Sequence, residues 1–285
     1  MTARLTSSSY GKSAVRIVKI ERKGQRDDIR DLTVDVALEG DFEDAHTLGD
    51  NTMVLPTDTM KNTVYAKGRE QALGEPEDFA KLLGEHFLSA SRSATLARVR
   101  IAEHWWRRLD VGGRAQDHAF ERGSAERRIA HVTSRRNEQP TIIAGVEDLI
   151  IMKSTRSAFE GYAKDRYTTL KETSHRLLVT SMSTYWRYAD DTTSFGVLWE
   201  SARRVLLETF AEHDSRSVQH TLYAMGQAVL DTCADIEEIS ITMPNKHHLL
   251  ADLAPFGLEN PNEIFVPTDE PYGLIEATLR RAPER

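Results

Sequence analysis

Apolar and polar residues alternate with a period of two in several stretches of the chain, a pattern that predicts half-buried β-strands. Residues 11–22 are predicted to form a hairpin with the strand around residues 32–38, which has the clearest alternation. A β-bulge is predicted at Ile17 and Val18, because the apolar residues change there from odd-numbered to even-numbered positions. That clearest alternation is formed by Leu32, Val34, Val36 and Leu38. Two further strands are predicted from the apolar positions Ala97, Val99, Ile101, Ile129 and Val132.

A helical period follows Pro76, because apolar or aromatic side chains there recur every three or four residues. The positions that carry this period are Phe79, Leu82, Leu83, His86 and Phe87. The first half of the chain is therefore predicted to contain two strands, a helix and two more strands.

The second half repeats this order of elements. Strands are predicted at residues 141–153, 176–188, 239–243 and 274–279. Two amphipathic helices lie among them, one marked by Phe195, Leu198, Ala202, Val205 and Leu206, the other by Val218, Leu222, Met225 and Val229.

This repetition predicts a tandem duplication with its boundary near residues 135–140, which gives domains at residues 10–137 and 138–281. Strand runs followed by helices are typical of an α+β fold, in which antiparallel sheets carry helices on one face. Each half has edge strands that must be covered or paired. A protein of this kind can close its sheets into barrels by oligomerising.

Charge and composition narrow the range of partners. A net charge of −7 argues against a nucleic-acid partner, because phosphate binding normally needs a basic surface. The single cysteine, Cys233, excludes an intrachain disulfide and a multi-cysteine zinc site. No apolar run is long enough to span a membrane, residues 1–9 are polar, and the chain ends without a Ser-Lys-Leu address. A cytoplasmic location is expected.

Two polar segments are candidates for binding chemistry. Residues 55–63 are polar and lead towards a helix or an extended segment; a Ser/Thr turn with a helix cap is their ordinary interpretation. Arg176, after the polar stretch 165–175, can serve as a bidentate donor for a planar anion, or lie solvated at a strand edge. Phe159 is either a core residue or a stacking platform for a heterocycle.

A third candidate lies at residues 243–248. On a strand, Asn245 and His247 would share a face, where an amide and an imidazole can hold a small polar molecule and relay a proton. A strand-end turn is the alternative. The adjacent His247 and His248 would point to opposite faces, which disfavours a metal pair. No phosphate-binding loop, nucleophile elbow or dinucleotide fingerprint occurs.

Together these segments resemble the uricase (urate oxidase) family, in the right order from about Tyr10 to Arg281. The resemblance is carried by Tyr10-Gly11-Lys12, Thr57-Asp58-Thr59 with residues 61–65, Lys153-Ser154-Thr155, Phe159-Glu160-Gly161, residues 165–172, Pro244-Asn245-Lys246-His247-His248, residues 260–263 and residues 271–278. It implies two tunnelling-fold (T-fold) domains per chain and a homotetramer with active sites at subunit interfaces. It also implies oxidation of urate by dioxygen and water to 5-hydroxyisourate and hydrogen peroxide, with neither metal nor other cofactor.

The resemblance also assigns roles by position. The catalytic residues would be Lys12 and Thr57, from the neighbouring subunit, and His247, which completes a proton relay. Arg176 and Gln219 would bind urate through paired hydrogen bonds, while Phe159 would stack on its ring and Leu170 would pack beside it. Backbone groups of Val218 and Asp58 would also contact urate. Asn245 would hold oxygen or water above the ring.

One position departs from the family pattern: His175 precedes Arg176, where the family usually has an acidic residue. If both lie on a strand, His175 points away from the ligand and changes affinity or pH profile at most. Two rival interpretations remain. A zinc-dependent T-fold enzyme acting on pterins would need clustered zinc ligands, and an inactive purine-binding tetramer would lack some of the polar groups named above.

Overall fold

The structure of the protein is a computed structural model, in which residues 3–282 are described. Met1, Thr2 and residues 283–285, on which the expectations about a leader and a C-terminal address partly rest, lie outside the described residues. The chain divides into two compact units. Among the described residues, the first contains 3–145 and Arg187–Val197, and the second contains Val146–Trp186 and 198–282. The domain boundary at residues 137 and 138 stays a prediction.

The first unit contains four antiparallel strands in the order β1-β2-β3-β4. Their bounds are Tyr10–Lys23, Arg26–Gly40, Ala94–Val111 and Arg114–Arg135. The predicted hairpin is confirmed, and the four alternating apolar residues of β2 are all buried. These strands confirm the antiparallel α+β class.

The predicted position of the bulge is wrong. The register of β1 against β2 shifts between Lys12 and Val15, whereas Ile17 and Val18 pair in continuous register. The apolar residues change from odd-numbered to even-numbered positions at residues 17–20 because Val18 and Ile20 lie on the solvent side of β1, where they are 53% and 48% exposed. Exposed apolar residues, rather than an extra residue, produced the misleading pattern.

Three helices belong to the first unit: α1 (Glu43–Thr47), α2 (Thr57–Glu70) and α3 (Pro76–Ala90). The prediction of α3 is confirmed, and it packs against β3 and β4. Of the two alternatives predicted after residues 55–63, a helix or an extended segment, the structure has the helix: α2 begins at Thr57 and packs against β1. Only Met60, Val64 and Gly68 of α2 are buried, which explains the weak apolar signal.

The remaining elements lie in the second unit, except that three of them include residues 141–145, 187–188 and 195–197 of the first. Their bounds are β5 (Thr141–Lys153), β6 (Leu178–Tyr188), α4 (Phe195–Glu212), α5 (Val218–Thr232), β7 (Ile236–Asn245), β8 (His248–Leu250), a short 3-10 helix (Ala254–Phe256), β9 (Phe265–Pro267) and β10 (Gly273–Arg280). Strand β10 pairs antiparallel with β7, β8 pairs with β9, and α5 packs against β7 and β10. The short pair β8–β9 was not predicted. Among residues 3–282, no helix is long and apolar enough to cross a membrane.

A buried ionic cluster joins α3 to β4 in the first unit. The fully buried Glu77 accepts a hydrogen bond from Arg128 at 2.7 Å, and Arg128 also pairs with Glu75 at 2.6 Å. Burial raises the pKa of Glu77 from 4.5 to about 7, against the opposing effect of the Arg128 charge. The folded protein therefore binds a proton at Glu77 between these two pH values, and the unfolded chain does not.

This cluster predicts a measurable pH dependence of stability. As pH falls from about 7 to 4.5, the Glu77 contribution to the free energy of unfolding rises, because the folded state takes up the extra proton. The Glu77→Gln variant lacks this gain. The free energy of unfolding of the variant, relative to that of the unmodified protein, is therefore expected to fall by on the order of 1–3 kcal/mol between pH 7 and pH 4.5. Denaturation of both proteins across this range measures the difference; a constant difference would contradict the assignment.

Candidate functional site

A cavity of about 320 Å³ lies in the second unit, within the size range of small-molecule sites. Its walls bring together seven of the residues predicted from the sequence. These are Phe159, Leu170, Arg176, Val218, Gln219, Asn245 and His247. The remaining lining residues are Thr173, Leu177, His248, Leu249 and Ile275. Segments far apart in the chain thus meet around one space.

Arg176 lines this cavity, and its guanidinium has no ion-pair partner among residues 3–282. Its backbone N–H donates to the Ser157 carbonyl at 2.9 Å, and its guanidinium carbon lies 5.2 Å from the centre of the Phe159 ring. The Nε atom is buried and has no hydrogen-bond partner among the described residues. Burial lowers the pKa of Arg176. A half-buried cation that has no anionic partner among the described residues is a strong attractor for an anionic ligand.

The predicted start of the strand at Arg176 is wrong, because β6 begins at Leu178. Arg176 instead belongs to a looped segment, in which Phe159 and Thr173 exchange backbone hydrogen bonds at 2.7 and 3.2 Å. The strand argument about His175 therefore does not apply. His175 is exposed, lies outside the cavity lining, and has Nδ1 3.4 Å from the Thr155 hydroxyl. The effect of this residue on the site stays a prediction.

Tyr162 supports the aromatic wall and was not predicted from the sequence. Its ring stacks on Phe159 with centroids 4.9 Å apart and an interplanar angle of 13°, and its hydroxyl donates to the Leu170 carbonyl at 2.5 Å. Tyr162 thereby contacts two residues of the cavity wall, the ring of Phe159 and the backbone of Leu170. A single tyrosine in a polar segment gave no periodic signal that would have identified it.

The N-terminus of α5 contributes Val218 and Gln219. The Ser217 hydroxyl caps the helix by accepting from the His220 N–H at 3.1 Å. The amides of Val218 and Gln219, the first two of the helix, have no acceptor within it. The partial positive charge of a helix N-terminus favours a bound anion. This end of α5 therefore reinforces the preference set by Arg176.

Asn245 and His247 lie at the end of β7. Asn245 is the last residue of the strand and is 9% exposed, whereas His247 lies in the two-residue link to β8. The predicted strand alternation does not extend to His247 because the strand has ended. For the same reason the argument that His247 and His248 face opposite ways loses its basis, and both residues line the cavity. The His247 carbonyl is fixed by the Thr268 N–H at 2.9 Å.

The other three predicted residues, Lys12, Thr57 and Asp58, belong to the first unit. Lys12 pairs with Val36 across the β1–β2 hairpin and immediately precedes the bulge. In the bulge, Ala14 has a φ of 57°, and its N–H donates to Asp35 at 2.7 Å. Bulges often redirect a side chain next to a functional site, and this one adjoins Lys12.

Thr57 and Asp58 open α2. The Asp58 carboxylate accepts from Lys61, and from Asn62 at 2.9 Å. Its pKa is lowered, chiefly by the Lys61 hydrogen bond and charge and to a lesser extent by the charge of Lys12. Lys12 is therefore within electrostatic range of the start of α2. The predicted residues thus form two groups, one in each unit, and in residues 3–282 no three His, Cys, Asp or Glu side chains cluster as a metal site requires.

The chain is similar over nearly its whole length to proteins of one family. The sequence profile described as Uricase matches residues 8–133 and 142–276. Uricase from Arthrobacter globiformis is 46% identical over 281 residues, covering 99% of this chain and 91% of that protein. Uricase from Dictyostelium discoideum is 35% identical over 286 residues, covering 99% of each.

Solved structures agree with these sequence matches. The crystal structure of uricase from Arthrobacter globiformis aligns with a TM-score of 0.94 at 44% identity, covering 100% of this chain and 97% of that one. The urate oxidase structure from Bacillus sp. TB-90 aligns with a TM-score of 0.86 at 22% identity, covering 96% of this chain and 100% of that one. This second likeness concerns the fold alone.

Proposed function

The chain belongs to the uricase family, and on that premise we propose that it oxidises urate with dioxygen and water to 5-hydroxyisourate and hydrogen peroxide. Urate gives up two electrons, dioxygen takes up two electrons and two protons, and water supplies the new hydroxyl group. The observation that carries the proposal is the half-buried guanidinium of Arg176 beside the Phe159 ring, whose buried Nε has no hydrogen-bond partner among the described residues. That pairing suits a flat, anionic heterocycle.

Urate binding is proposed to use the cavity of the second unit. Arg176 and Gln219 hold opposite edges of the planar anion through paired hydrogen bonds, for which a guanidinium fork and an amide are suited. Phe159 stacks on the ring, Leu170 packs beside it, and the Val218 backbone accommodates a polar edge. Because the pocket excludes part of the solvent, each charged hydrogen bond is stronger than it would be in water.

The chemical step is proposed to begin with removal of a further proton from bound urate. Lys12 and Thr57 accept this proton, and His247 completes the relay; an imidazole suits this task because it gains and loses protons near neutral pH. Asn245 holds dioxygen, and later water, over the ring. The doubly deprotonated purine is electron-rich enough to transfer an electron to dioxygen directly, so the proposed reaction needs neither metal nor flavin.

The active site is proposed to be shared between subunits of a homotetramer, with Lys12, Thr57 and the Asp58 backbone supplied by a neighbouring chain. Barrel closure of the sheets in this assembly is supported by β1, the first strand in its unit's order, which exposes Val18 and Ile20. A cytoplasmic location is also proposed. Cys233, the single cysteine, is a free and buried thiol, as a reducing compartment permits.

The deciding experiment follows the loss of urate's ultraviolet absorbance together with peroxide production. The purified protein is first treated with chelator, and its content of metal and flavin is measured. We expect one peroxide per urate consumed and undiminished turnover after chelation. Catalase should remove the peroxide signal and leave urate loss unchanged. Turnover that depends on a tightly bound prosthetic group would contradict the proposal.

A further inference from the structure

We propose that Tyr10 is a positioning residue that sets the distance between Lys12 and Thr57. This inference rests on the proposed function, because it assumes that Lys12 and Thr57 act together in proton transfer. Its structural basis is independent of any ligand: one hydroxyl group joins the two segments that carry these side chains.

The joining contact is a hydrogen bond between β1 and the segment before α2. The Leu55 N–H donates to the Tyr10 hydroxyl oxygen at 3.0 Å, across 45 residues of sequence. The Tyr10 ring is itself held edge-on against the buried Phe42, with centroids 4.8 Å apart and an interplanar angle of 81°. The hydroxyl therefore presents its oxygen from a fixed ring.

On the side of Lys12, the path from the contact is a regular strand. Tyr10 pairs with Leu38 and Lys12 pairs with Val36, so two residues of continuous register separate them. Residues two apart on a strand point to the same face. A displacement of Tyr10 along or across β1 is therefore transmitted to Lys12.

On the side of Thr57, the path is equally short and is stiffened by Pro56. Pro56 has a φ of −58° and occupies the N-cap position, and the Met60 N–H donates to its carbonyl at 3.2 Å to open α2. Because the proline ring fixes φ, few backbone rotations remain between the Leu55 amide and Thr57. Holding the Leu55 N–H thus holds the start of the helix.

The test is Tyr10→Phe, which keeps the ring against Phe42 and removes only the acceptor oxygen. We expect kcat for urate to fall about three- to tenfold, as for the loss of one hydrogen bond. KM and the affinity for a non-oxidisable urate analogue should change much less than kcat, since every proposed binding residue except Asp58 lies around the other unit's cavity. Tyr223→Phe is the matched control, because this tyrosine is 57% exposed and has no hydroxyl partner among the described residues.

A double-mutant cycle distinguishes positioning from a general structural effect. If Tyr10 acts through Lys12, adding Tyr10→Phe to Lys12→Met should cost no further activity. A fall that persists in the Lys12→Met background, a parallel loss of analogue affinity, or an unchanged kcat would each overturn the inference. Absence of urate oxidation by the unmodified protein would instead overturn the proposed function, so the two failures can be told apart.

Discussion

Lys12→Met is expected to lower turnover of urate about a hundredfold to ten-thousandfold, the usual contribution of a positioned acid–base group. Methionine preserves the length and much of the apolar stem of lysine and removes its capacity to accept a proton. Affinity for a non-oxidisable urate analogue should stay nearly constant, since Lys12 belongs to the first unit and the proposed urate-binding cavity to the second. Steady-state kinetics and equilibrium binding of the analogue check the two halves of this expectation.

Lys12→Arg separates proton transfer from simple charge. Arginine keeps the positive charge but does not deprotonate in proteins, so it should be nearly as inactive as methionine if Lys12 is a base. Recovery of turnover in Lys12→Arg would remove Lys12 from the relay. Lys23→Met, at the exposed end of β1, is the control for loss of a lysine from the same strand.

Co-assembly of two variants that are both impaired at low urate concentration tests the shared site. In mixed tetramers of Lys12→Met and Arg176→Ala chains, random pairing should restore about a quarter of the sites, each taking its intact Lys12 and Arg176 from different chains. Refolding the variants together and measuring turnover shows whether this occurs. If each site lay within one chain, the mixture would stay as impaired as its components.

Arg176→Ala is expected to weaken binding of a urate analogue by about 1.5–3 kcal/mol, the cost of losing hydrogen bonds to a charged group. The corresponding rise in Kd is about 10- to 150-fold. The reason is structural: no other described side chain satisfies the buried Nε of Arg176, so the ligand is its proposed partner. Calorimetric titration of the analogue measures the loss.

Arg176→Lys is the informative companion variant. Lysine retains the charge and loses the planar fork, so it should recover only part of the affinity. Arg204→Ala, which breaks an exposed pair with Glu208 on α4, serves as the control for removal of an arginine from the same unit. Unchanged affinity in Arg176→Ala would show that the proposed urate pose is wrong.

The fold was predictable wherever the pattern of apolar residues reflected a single buried face. The alternation in β2 and the helical period of α3 are of this kind, and both elements are confirmed. The bulge was misplaced because Val18 and Ile20 are apolar although exposed. The pattern shows which residues are apolar and not which are buried. For a strand with apolar residues on both faces, the sequence alone therefore does not identify the buried face.

The composition of the site was harder to predict from residues than from resemblance. Spacing along the chain gave no reason to bring Phe159, Gln219 and Asn245 together, since long-range folding places them around one cavity. Local patterns also predicted β-strand at two site residues that lie outside the strands. Arg176 precedes its strand and His247 follows one, because functional side chains here sit where regular structure stops.

The close approach of β1 and β2 at Gly11 has a consequence for engineering this protein. A Cβ atom at position 11 would lie 1.8 Å from the Val36 carbonyl oxygen, so even alanine would push the two strands apart. Mutant libraries aimed at altering catalysis should therefore keep residue 11 as glycine and diversify Ser13, which is solvent-accessible within the bulge. Selection would then sample new orientations of the neighbouring lysine in chains that still fold.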